Sequence, residues 1–229
     1  MKAMQIAVMG STGKMGQEVL EILRLDGRQL HSQLNKQTSL ESFVTASAGA
    51  DVVIDFSTPD VLRKYLGLKN KTLKGFVSGT TGLTESDFVA LRELSVHVPV
   101  LWAPNFSLGI CFMNELLKKF AALKDFDFQI EEIHHNKKKD APSGTAILLQ
   151  KTLQEAIAPK QLPEPLSVRA GGVFGVHKVM AISDQEQINL EHIALKRSVF
   201  ARGAVTAAEF IVRQKPGLYQ MKDVLDWIG

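Results

Sequence analysis

A glycine-rich turn near the beginning of the chain constrains the fold more than any other feature. Gly10, Gly13 and Gly16 follow a short apolar run at residues 4–9 and lead into a segment at residues 14–25 with helical apolar spacing. A strand, a glycine turn and a helix in this order are typical of a dinucleotide-binding sheet, because glycines let the backbone approach a pyrophosphate at the helix amino terminus. We predict a nucleotide-binding turn here; a tight turn without a ligand is the alternative.

Apolar runs and helical patterns alternate along the rest of the first hundred residues. Strands that alternate with helices at this pitch predict a parallel, doubly wound, Rossmann-like α/β sheet. In such sheets ligands lie at the carboxyl ends of the strands. Gly79, Thr80 and Asn105 follow two of the strands, so they could line a flat nicotinamide there, although such residues also suit any strand-to-helix turn. The further strands are predicted at residues 30–34, 50–56, 75–78 and 98–102.

The pattern changes after residue 105. Strands with one apolar and one polar face indicate a second, α+β domain with an open mixed sheet. We predict one domain from residues 1–105 plus 203–229 and another from residues 106–202. The elements predicted beyond residue 105 are helices at 108–123, 143–157, 200–212 and 219–228 and strands at 126–130, 176–182 and 187–192.

Composition limits the cellular compartment and the kinds of ligand that we expect. The chain has 229 residues, of which 45% are hydrophobic, and a net charge of +3. This charge is too small to indicate nucleic-acid binding but is compatible with anionic small ligands. Cys111 is the only cysteine in the sequence, which rules out an internal disulfide and favours a reducing compartment. We find no apolar stretch long enough for a membrane and no room for a signal peptide before the first strand, so we expect a cytoplasmic protein.

Residues 132–146 combine groups that move protons with groups that bind anions. Two imidazoles and three lysines lie just before a predicted helix start, where Pro142 suits the first turn. Ser143, Gly144 and Thr145 would then offer free backbone N–H groups at the positive end of the helix dipole, to which a carboxylate could bind. The run therefore indicates reduction of, or proton transfer to, a small acidic substrate; a solvated basic loop is the alternative.

The residues after the second predicted strand bear on the choice of cofactor. NAD-binding sheets usually have a carboxylate there that binds the ribose hydroxyls, whereas this chain has Gln-Leu-Asn-Lys-Gln at residues 33–37. Lys36 could neutralise the 2′-phosphate of NADPH, and a solvated loop lysine is the alternative. NADPH and NADH both stay open, and we predict no metal site.

These motifs occur together in one known family. The glycine turn, Asp55-Phe56-Ser57, Gly79-Thr80-Thr81-Gly82, Asn105-Phe106-Ser107 and residues 132–146 follow the order found in bacterial dihydrodipicolinate reductases, also called 4-hydroxy-tetrahydrodipicolinate reductases. The chain resembles this family over nearly its whole length, most specifically at His-His-x-x-Lys-x-Asp-Ala-Pro-Ser-Gly-Thr. The resemblance implies NAD(P)H-dependent reduction of 4-hydroxy-tetrahydrodipicolinate or dihydrodipicolinate to tetrahydrodipicolinate, in the diaminopimelate route to lysine.

The resemblance also implies roles for particular residues. The acid/base histidine would be His134 and the proton donor Lys138, in a substrate-binding domain whose open sheet builds a homotetramer. Substrate contacts would come from His135, Gly144 and Thr145. Contacts with NADPH or NADH in the dinucleotide-binding domain would come from Gly10, Ser11, Thr12, Gly13, Lys14, Met15, Lys36, Gly79, Thr80, Thr81, Ala103, Pro104, Asn105 and Phe106.

The chain departs from the family pattern in two places, and two other functions are alternatives to the reductase. The chain is short at residues 35–49 and before Arg169, in predicted loops that tolerate changes of length. A two-domain amino-acid dehydrogenase would share the glycine turn but would not need the paired histidines together with Pro-Ser-Gly-Thr. A nucleotide sensor without catalysis would not need His134, Lys138 and Thr145.

Overall fold

The structure, a computed structural model, describes residues 3–35, 37–68, 73–123 and 125–229. It divides into two compact units, the first made of Met1–Phe106 with Ser198–Gly229 and the second of Ser107–Arg197. The predicted boundary between residues 202 and 203 lies inside a continuous helix, Ser198–Ile211, which belongs whole to the first unit. Among the described residues, we find no helix with the length and apolar character needed to cross a membrane.

Strands and helices alternate in the first unit and are mixed in the second. Short 3₁₀ helices lie at Ser47–Gly49 and Lys118–Leu123. The strands are β1 (Gln5–Met9), β2 (Gln29–Leu34), β3 (Val52–Asp55), β4 (Gly75–Ser78), β5 (Pro99–Trp102), β6 (Asp127–His134), β7 (Leu166–Arg169), β8 (Val176–Ile182), β9 (Gln187–Ile193) and β10 (Gly217–Tyr219). The α-helices are α1 (Lys14–Leu25), α2 (Leu40–Ala46), α3 (Pro59–Gly67), α4 (Glu85–Ser95), α5 (Leu108–Leu117), α6 (Gly144–Ile157), α7 (Ser198–Ile211) and α8 (Met221–Ile228).

The first unit is built on a parallel sheet. In the described part of the chain its six strands lie in the order β10-β5-β4-β3-β1-β2, and each pairs in parallel with its neighbours. Every residue of β3 and β4 is buried, as expected for strands covered on both faces. The direction of chain progression reverses between β1 and β3, and α/β sheets bind ligands at such a switch point. The predicted Rossmann-like fold is confirmed.

The second unit contains a mixed sheet. Its strands lie in the order β7-β6-β8-β9 among the described residues, with β7 parallel to β6 and the other pairs antiparallel. Inward-facing side chains such as Phe128, Ile130 and Val179 share one core with Leu149 and Leu153 of α6. The alternate residues of β6 and β8 stay partly exposed on the other face. The predicted α+β unit with an open mixed sheet is therefore confirmed.

The second unit differs from its prediction in three places. β6 continues to His134, past the predicted end at residue 130, because every second side chain stays buried. The predicted helix at residues 108–123 is α-helical only to Leu117 and continues as a 3₁₀ helix. β7 ends at Arg169, in a stretch predicted as a loop, where pairing with β6 supplies the order.

Candidate active site

The turn between β1 and α1 packs closely on the residues that follow β3. Gly10 has a left-handed backbone with a φ of 77°, and a Cβ there would lie 2.4 Å from the carbonyl oxygen of Phe56. Only glycine can adopt this φ without strain and also leave room for the Phe56 carbonyl oxygen. A cavity of about 390 Å³ beside the turn is lined by residues that include Thr12, Gly13 and Asn35. The switch point of the first sheet therefore carries a pocket beside the predicted phosphate-binding turn.

The residues of the predicted cofactor turn have different environments. Ser11 is buried, and its backbone N–H and its hydroxyl both donate to the carbonyl oxygen of Leu34, at 3.1 and 3.0 Å. The Ser11 hydroxyl therefore stabilises the turn itself. Thr12 and Lys14 are exposed and Met15 is half-buried at the start of α1. These three can approach an anion at the amino terminus of the helix.

A buried carboxylate, Asp55, organises the same edge of the sheet. It accepts hydrogen bonds from the Ser57 backbone N–H at 2.8 Å and from the hydroxyls of Ser78 and Thr80 at 2.7 and 2.8 Å. Burial raises the pKa of Asp55, and hydrogen bonds from Ser57, Ser78 and Thr80 oppose that shift. Asp55 thereby joins the loops that follow β3 and β4. The sequence assigns it no role, because an aspartate at a strand end is common in any turn.

The residues predicted on the nicotinamide side lie at the ends of β4 and β5. Gly79 packs against two rings, since a Cβ there would lie 2.2 Å from a ring carbon of Phe56 and 2.9 Å from one of Phe106. Thr80 is buried, its hydroxyl donates to Asp55, and its carbonyl oxygen accepts from Trp102. The side chain of Thr80 is therefore engaged within the unit. Of the others, Thr81 and Pro104 are exposed, Asn105 is half-buried, and Ala103 and Phe106 are buried.

In the second unit, the end of β6 presents a buried histidine beside a buried carboxylate. Glu132 and His134 lie two residues apart on the same face of the strand, and the Glu132 carboxylate is hydrogen-bonded to Nδ1 of His134. Burial lowers the pKa of His134, and Glu132 partly opposes the shift. His134 is therefore neutral near pH 7. The ring of His177 packs edge-on against it, with 5.1 Å between ring centroids.

Three lysines follow His134 in the chain, and they differ in exposure. Lys137 and Lys139 are exposed, whereas the Lys138 side chain is 23% exposed. The Nζ of Lys138 donates to Oδ2 of Asp140 at 2.7 Å. Asp140 thereby holds the ammonium group of Lys138 in one place, and the hydrogen bond from Lys138 lowers the pKa of Asp140. The structure thus distinguishes Lys138 from its two neighbours.

The Glu132 carboxylate also connects β6 to the start of α6. The Ser143 backbone N–H donates to Oε1 of Glu132 at 3.2 Å, and the Ser143 hydroxyl caps α6 by accepting from the Ala146 N–H at 3.1 Å. Two expectations need correction as a result. Pro142 lies before the helix instead of in its first turn, because the capping serine follows it. The Ser143 N–H is not available to a substrate, because Glu132 already accepts from it.

The predicted substrate contacts lie at this helix start. Gly144 and Thr145 are the first two residues of α6, the former exposed and the latter half-buried. Apart from its chain neighbours and the backbone of its own helix, no atom of the described residues lies within 4 Å of a Cβ built on Gly144. His135 donates its backbone N–H to Val173 at 2.7 Å, while its buried Nδ1 has no hydrogen-bond partner in the described part of the chain. A roomy helix start and an unsatisfied ring nitrogen are features that suit an anionic ligand.

Comparison with known proteins decides the family. The family model described as dihydrodipicolinate reductase, N-terminus, matches residues 4–106, and the one described as dihydrodipicolinate reductase, C-terminus, matches residues 109–225. The chain belongs to the dihydrodipicolinate reductase family. A 4-hydroxy-tetrahydrodipicolinate reductase of Bdellovibrio bacteriovorus is 49% identical to it, over 98% of this chain and 97% of the relative. One of Thermosipho africanus is 41% identical, over 97% of this chain and 98% of the relative.

A solved structure supports the same fold. The dipicolinate-bound dihydrodipicolinate reductase from Paenisporosarcina sp. TG-14 superimposes with a TM-score of 0.82 and 23% identity, over 95% of this chain and 97% of that chain. Membership of the reductase family confirms the predicted class of enzyme. The chain is an NAD(P)H-dependent oxidoreductase of the family that reduces 4-hydroxy-tetrahydrodipicolinate in the diaminopimelate route to lysine. This membership decides against the amino-acid dehydrogenase and the nucleotide sensor.

The first unit of this reductase fits the nicotinamide dinucleotide that the family uses. The left-handed Gly10, the exposed Lys14 at the start of α1 and the cavity at the switch point are features suited to a dinucleotide diphosphate. β2 ends at Leu34 without an acidic residue, so the usual ribose-binding carboxylate of NAD enzymes is absent at that strand end. Lys36, the residue predicted to favour NADPH, lies outside the described residues.

Proposed function

We propose that the chain reduces 4-hydroxy-tetrahydrodipicolinate, or the dihydrodipicolinate formed from it, to tetrahydrodipicolinate, with the work divided between its two units. The first unit binds NAD(P)H at the turn between β1 and α1. The second unit binds the dicarboxylate substrate and supplies the proton. When bound, the cofactor supplies a hydride to the conjugated imine. Loss of the 4-hydroxyl group as water gives the conjugated imine of dihydrodipicolinate. The hydride then added to the ring must be balanced by one proton, and the protein delivers it.

Lys138 is the proposed proton donor. Its side chain is sheltered where those of its neighbours are exposed, and Asp140 holds its ammonium group at 2.7 Å. An ammonium group can give a proton to the electron-rich atom that reduction produces. A cation at this position also attracts a dicarboxylate, because the attraction between an ammonium group and a carboxylate is strong in a sheltered site.

His134 is the proposed acid/base partner of Lys138. Burial lowers its pKa, so the imidazole is neutral near pH 7 and its Nε2 can accept a proton or pass one on. Its Nδ1 is occupied by Glu132. The ring is therefore held in place, and one nitrogen is left for chemistry.

The arrangement of the segment from the end of β6 to the start of α6 is the main observation that supports the proposal. This segment places His134, Lys138 and the Gly144-Thr145 helix start within a dozen residues of one another in the chain. Glu132 bonds to both ends of it, through Nδ1 of His134 and the backbone N–H of Ser143. A proton donor and a carboxylate-binding helix start are thus held in one fixed arrangement, as a reductase of a cyclic dicarboxylate requires.

Binding of dipicolinate, a stable planar dicarboxylate, tests the substrate site without turnover. We expect Thr145→Val to weaken dipicolinate binding and to raise KM for the substrate by about tenfold or more, the cost of one hydrogen bond to a charged group. Calorimetric titration measures the first quantity and steady-state kinetics the second. Thr152→Val, two turns further along α6, is the matched control and should bind dipicolinate as the wild type does. Equal affinity in both variants would remove Thr145 from the site.

A homotetramer assembled through the open face of the second sheet is also part of the proposal. Val168, Ile133, Val176 and Ile193 form an apolar row across β7, β6, β8 and β9, since each is the register partner of the next. The outer two side chains, Val168 and Ile193, are 39% and 50% exposed. Burying such a row against another subunit removes apolar surface from water.

Ile193→Asp is expected to dissociate the tetramer, because a carboxylate in the apolar row would be buried without a partner. Light scattering coupled to size-exclusion chromatography measures the mass. Val96→Asp, at a 69% exposed position in the first unit, is the control and should keep the wild-type mass. The assembly proposal is wrong if the wild type is a monomer or if Ile193→Asp keeps the wild-type mass.

A cytoplasmic location is proposed as well. The sequence has a single cysteine, Cys111, so no internal disulfide can form. Chains of this kind suit a reducing compartment. The reaction also consumes NAD(P)H, a cytoplasmic reductant.

A further inference from the structure

We propose that Glu132 and Arg169 are positioning residues, which together orient His134 and hold the loop that carries Lys138. Neither residue belongs to the groups proposed above to contact cofactor or substrate. The inference rests on the proposed role of His134, and the experiments below separate a failure of one from a failure of the other.

The carboxylate of Glu132 is completely buried and is surrounded by donors. Its Oε2 accepts from Nδ1 of His134 and, at 3.0 Å, from Nη1 of Arg169. Its Oε1 accepts from Nη2 of Arg169 at 2.6 Å and from the Ser143 backbone N–H at 3.2 Å. The two parallel bonds from Arg169 set the plane of the carboxylate. A carboxylate fixed in this way also fixes the imidazole that is bonded to it.

Glu132 decides which nitrogen of His134 carries the proton. Burial alone would raise the pKa of Glu132, but hydrogen bonds from Arg169, Ser167 and His134 together outweigh burial and lower it to about 2. An ionised carboxylate only accepts hydrogen bonds, so Nδ1 of neutral His134 must donate and Nε2 holds the lone pair. A Cβ built on Gly175 would lie 3.0 Å from Nε2, so the glycine leaves room beside that nitrogen.

Arg169 extends this arrangement to the lysine loop. Its Nη2 also donates to the backbone carbonyl oxygen of Asp140 at 2.5 Å, and the Asp140 carboxylate accepts from Nζ of Lys138 at 2.7 Å. The Glu132–Arg169 pair therefore contacts His134, the residue that holds Lys138, and the capping serine of the helix proposed to bind substrate. One ion pair thus sets the geometry of three parts of the site.

A contribution to the stability of the fold is a weak explanation for the buried Glu132–Arg169 ion pair. Taking two charges out of water costs about as much as their attraction returns, so replacing both partners by uncharged side chains is often tolerated. A pair that only stabilises the fold would therefore be dispensable for catalysis when both charges are removed together. A positioning pair would not be dispensable for catalysis, because His134 would lose the partner that fixes its tautomer.

Imidazole ¹⁵N chemical shifts of the wild-type protein test the tautomer without any substitution. The signals of His134 are assigned by their loss in His134→Ala. We expect neutral His134 to carry its proton on Nδ1. A proton found on Nε2 at neutral pH would overturn the inference.

Glu132→Gln keeps the shape of the side chain and removes its charge. We expect kcat to fall on the order of 10²-fold, with KM for NAD(P)H unchanged. The titration of His134 should move to lower pH, because the charge of Glu132 raises the pKa of His134. Glu131→Gln, whose side chain lies on the opposite face of β6, is the matched control and should keep the wild-type kcat. Wild-type kcat in Glu132→Gln, with the tautomer of His134 unchanged, would contradict the positioning role.

A double variant covers the case in which Glu132→Gln alone fails to fold. That substitution leaves the largely buried guanidinium of Arg169 without a charged partner, whereas Glu132→Gln/Arg169→Met removes both charges. We expect the double variant to unfold thermally near the wild-type temperature but to keep a low kcat and a mixed His134 tautomer. Recovery of wild-type kcat would show that the pair is only structural. Wild-type kcat in His134→Ala would instead reject the proposed role of His134 itself.

Discussion

Lys138→Met is expected to lower kcat by about 10²–10⁴-fold, the usual contribution of a positioned proton donor. Methionine keeps the length of the stem and removes the ammonium group, so the hydride acceptor loses its proton source. Binding of NAD(P)H should not change, because the residues proposed for it lie in the first unit. Steady-state kinetics gives kcat, and quenching of protein fluorescence by NAD(P)H gives the cofactor affinity.

The two neighbouring lysines supply the matched controls for Lys138. Lys137→Met and Lys139→Met each remove the same charge from the same loop, but both side chains are exposed and neither has the Asp140 contact that holds Lys138. We expect both variants to retain kcat within about a factor of three, as surface charges usually do. Equal losses in all three variants would mean that the loop acts through its total charge and that Lys138 is not the donor.

Gly10→Ala is expected to weaken NAD(P)H binding by about 10²-fold or more. Alanine at a φ of 77° carries a backbone cost, and its Cβ would also lie 2.4 Å from the carbonyl oxygen of Phe56. The turn between β1 and α1 must then move away from the loop after β3. That movement displaces the backbone proposed to hold the diphosphate. Fluorescence titration measures the affinity, and thermal unfolding shows whether the first unit still folds.

Gly82→Ala is the control that separates the two effects of Gly10→Ala, the cost of a left-handed backbone and the steric overlap with Phe56. Gly82 has nearly the same φ, 76°, but the nearest atom to its Cβ would be a side-chain carbon of Pro59 at 3.9 Å. We therefore expect Gly82→Ala to lose some stability and to keep most of its NAD(P)H affinity. If the two variants bind NAD(P)H equally well, the packing of Gly10 on Phe56 does not shape the cofactor site.

The elements that the sequence predicts best are those with local signals. α1 (Lys14–Leu25) and β4 (Gly75–Ser78) lie at the predicted residues. An apolar stripe identifies the helix, and a short apolar run before a glycine turn identifies the strand. A local signal also marks the start of α4 at Thr84. Asp87 accepts from the Thr84 backbone N–H at 2.8 Å and forms a capping box there.

The elements that the prediction missed depend on partners elsewhere in the chain. β10 has three residues and is ordered by its pairing with β5, and β7 is ordered by β6. α2 is different, because a local signal was present in the stretch predicted as a loop. Ser39 caps that helix by accepting from the Ser42 N–H at 3.1 Å, which is a typical helix start.

The same distinction applies to the candidate site. His134, Lys138 and Thr145 lie in one short segment, so the sequence could bring them together. Glu132 begins the motif at residues 132–146 but was assigned no role, because the predicted strand ended at residue 130. The inward alternation in fact continues through Glu132 to His134. Arg169 could not have been placed beside Glu132 from the sequence. The pair is 37 residues apart, and the pairing of β7 with β6 brings them together.

Oxidation of NAD(P)H by the purified chain tests the central claim most directly. The substrate is the freshly formed product of dihydrodipicolinate synthesis, supplied with NADPH or NADH in parallel, and the absorbance of the reduced nicotinamide is followed. We predict oxidation that depends on this substrate, yields one tetrahydrodipicolinate for each cofactor consumed, and is inhibited by dipicolinate. No oxidation with either cofactor, from a chain that binds NAD(P)H and dipicolinate, would contradict the account.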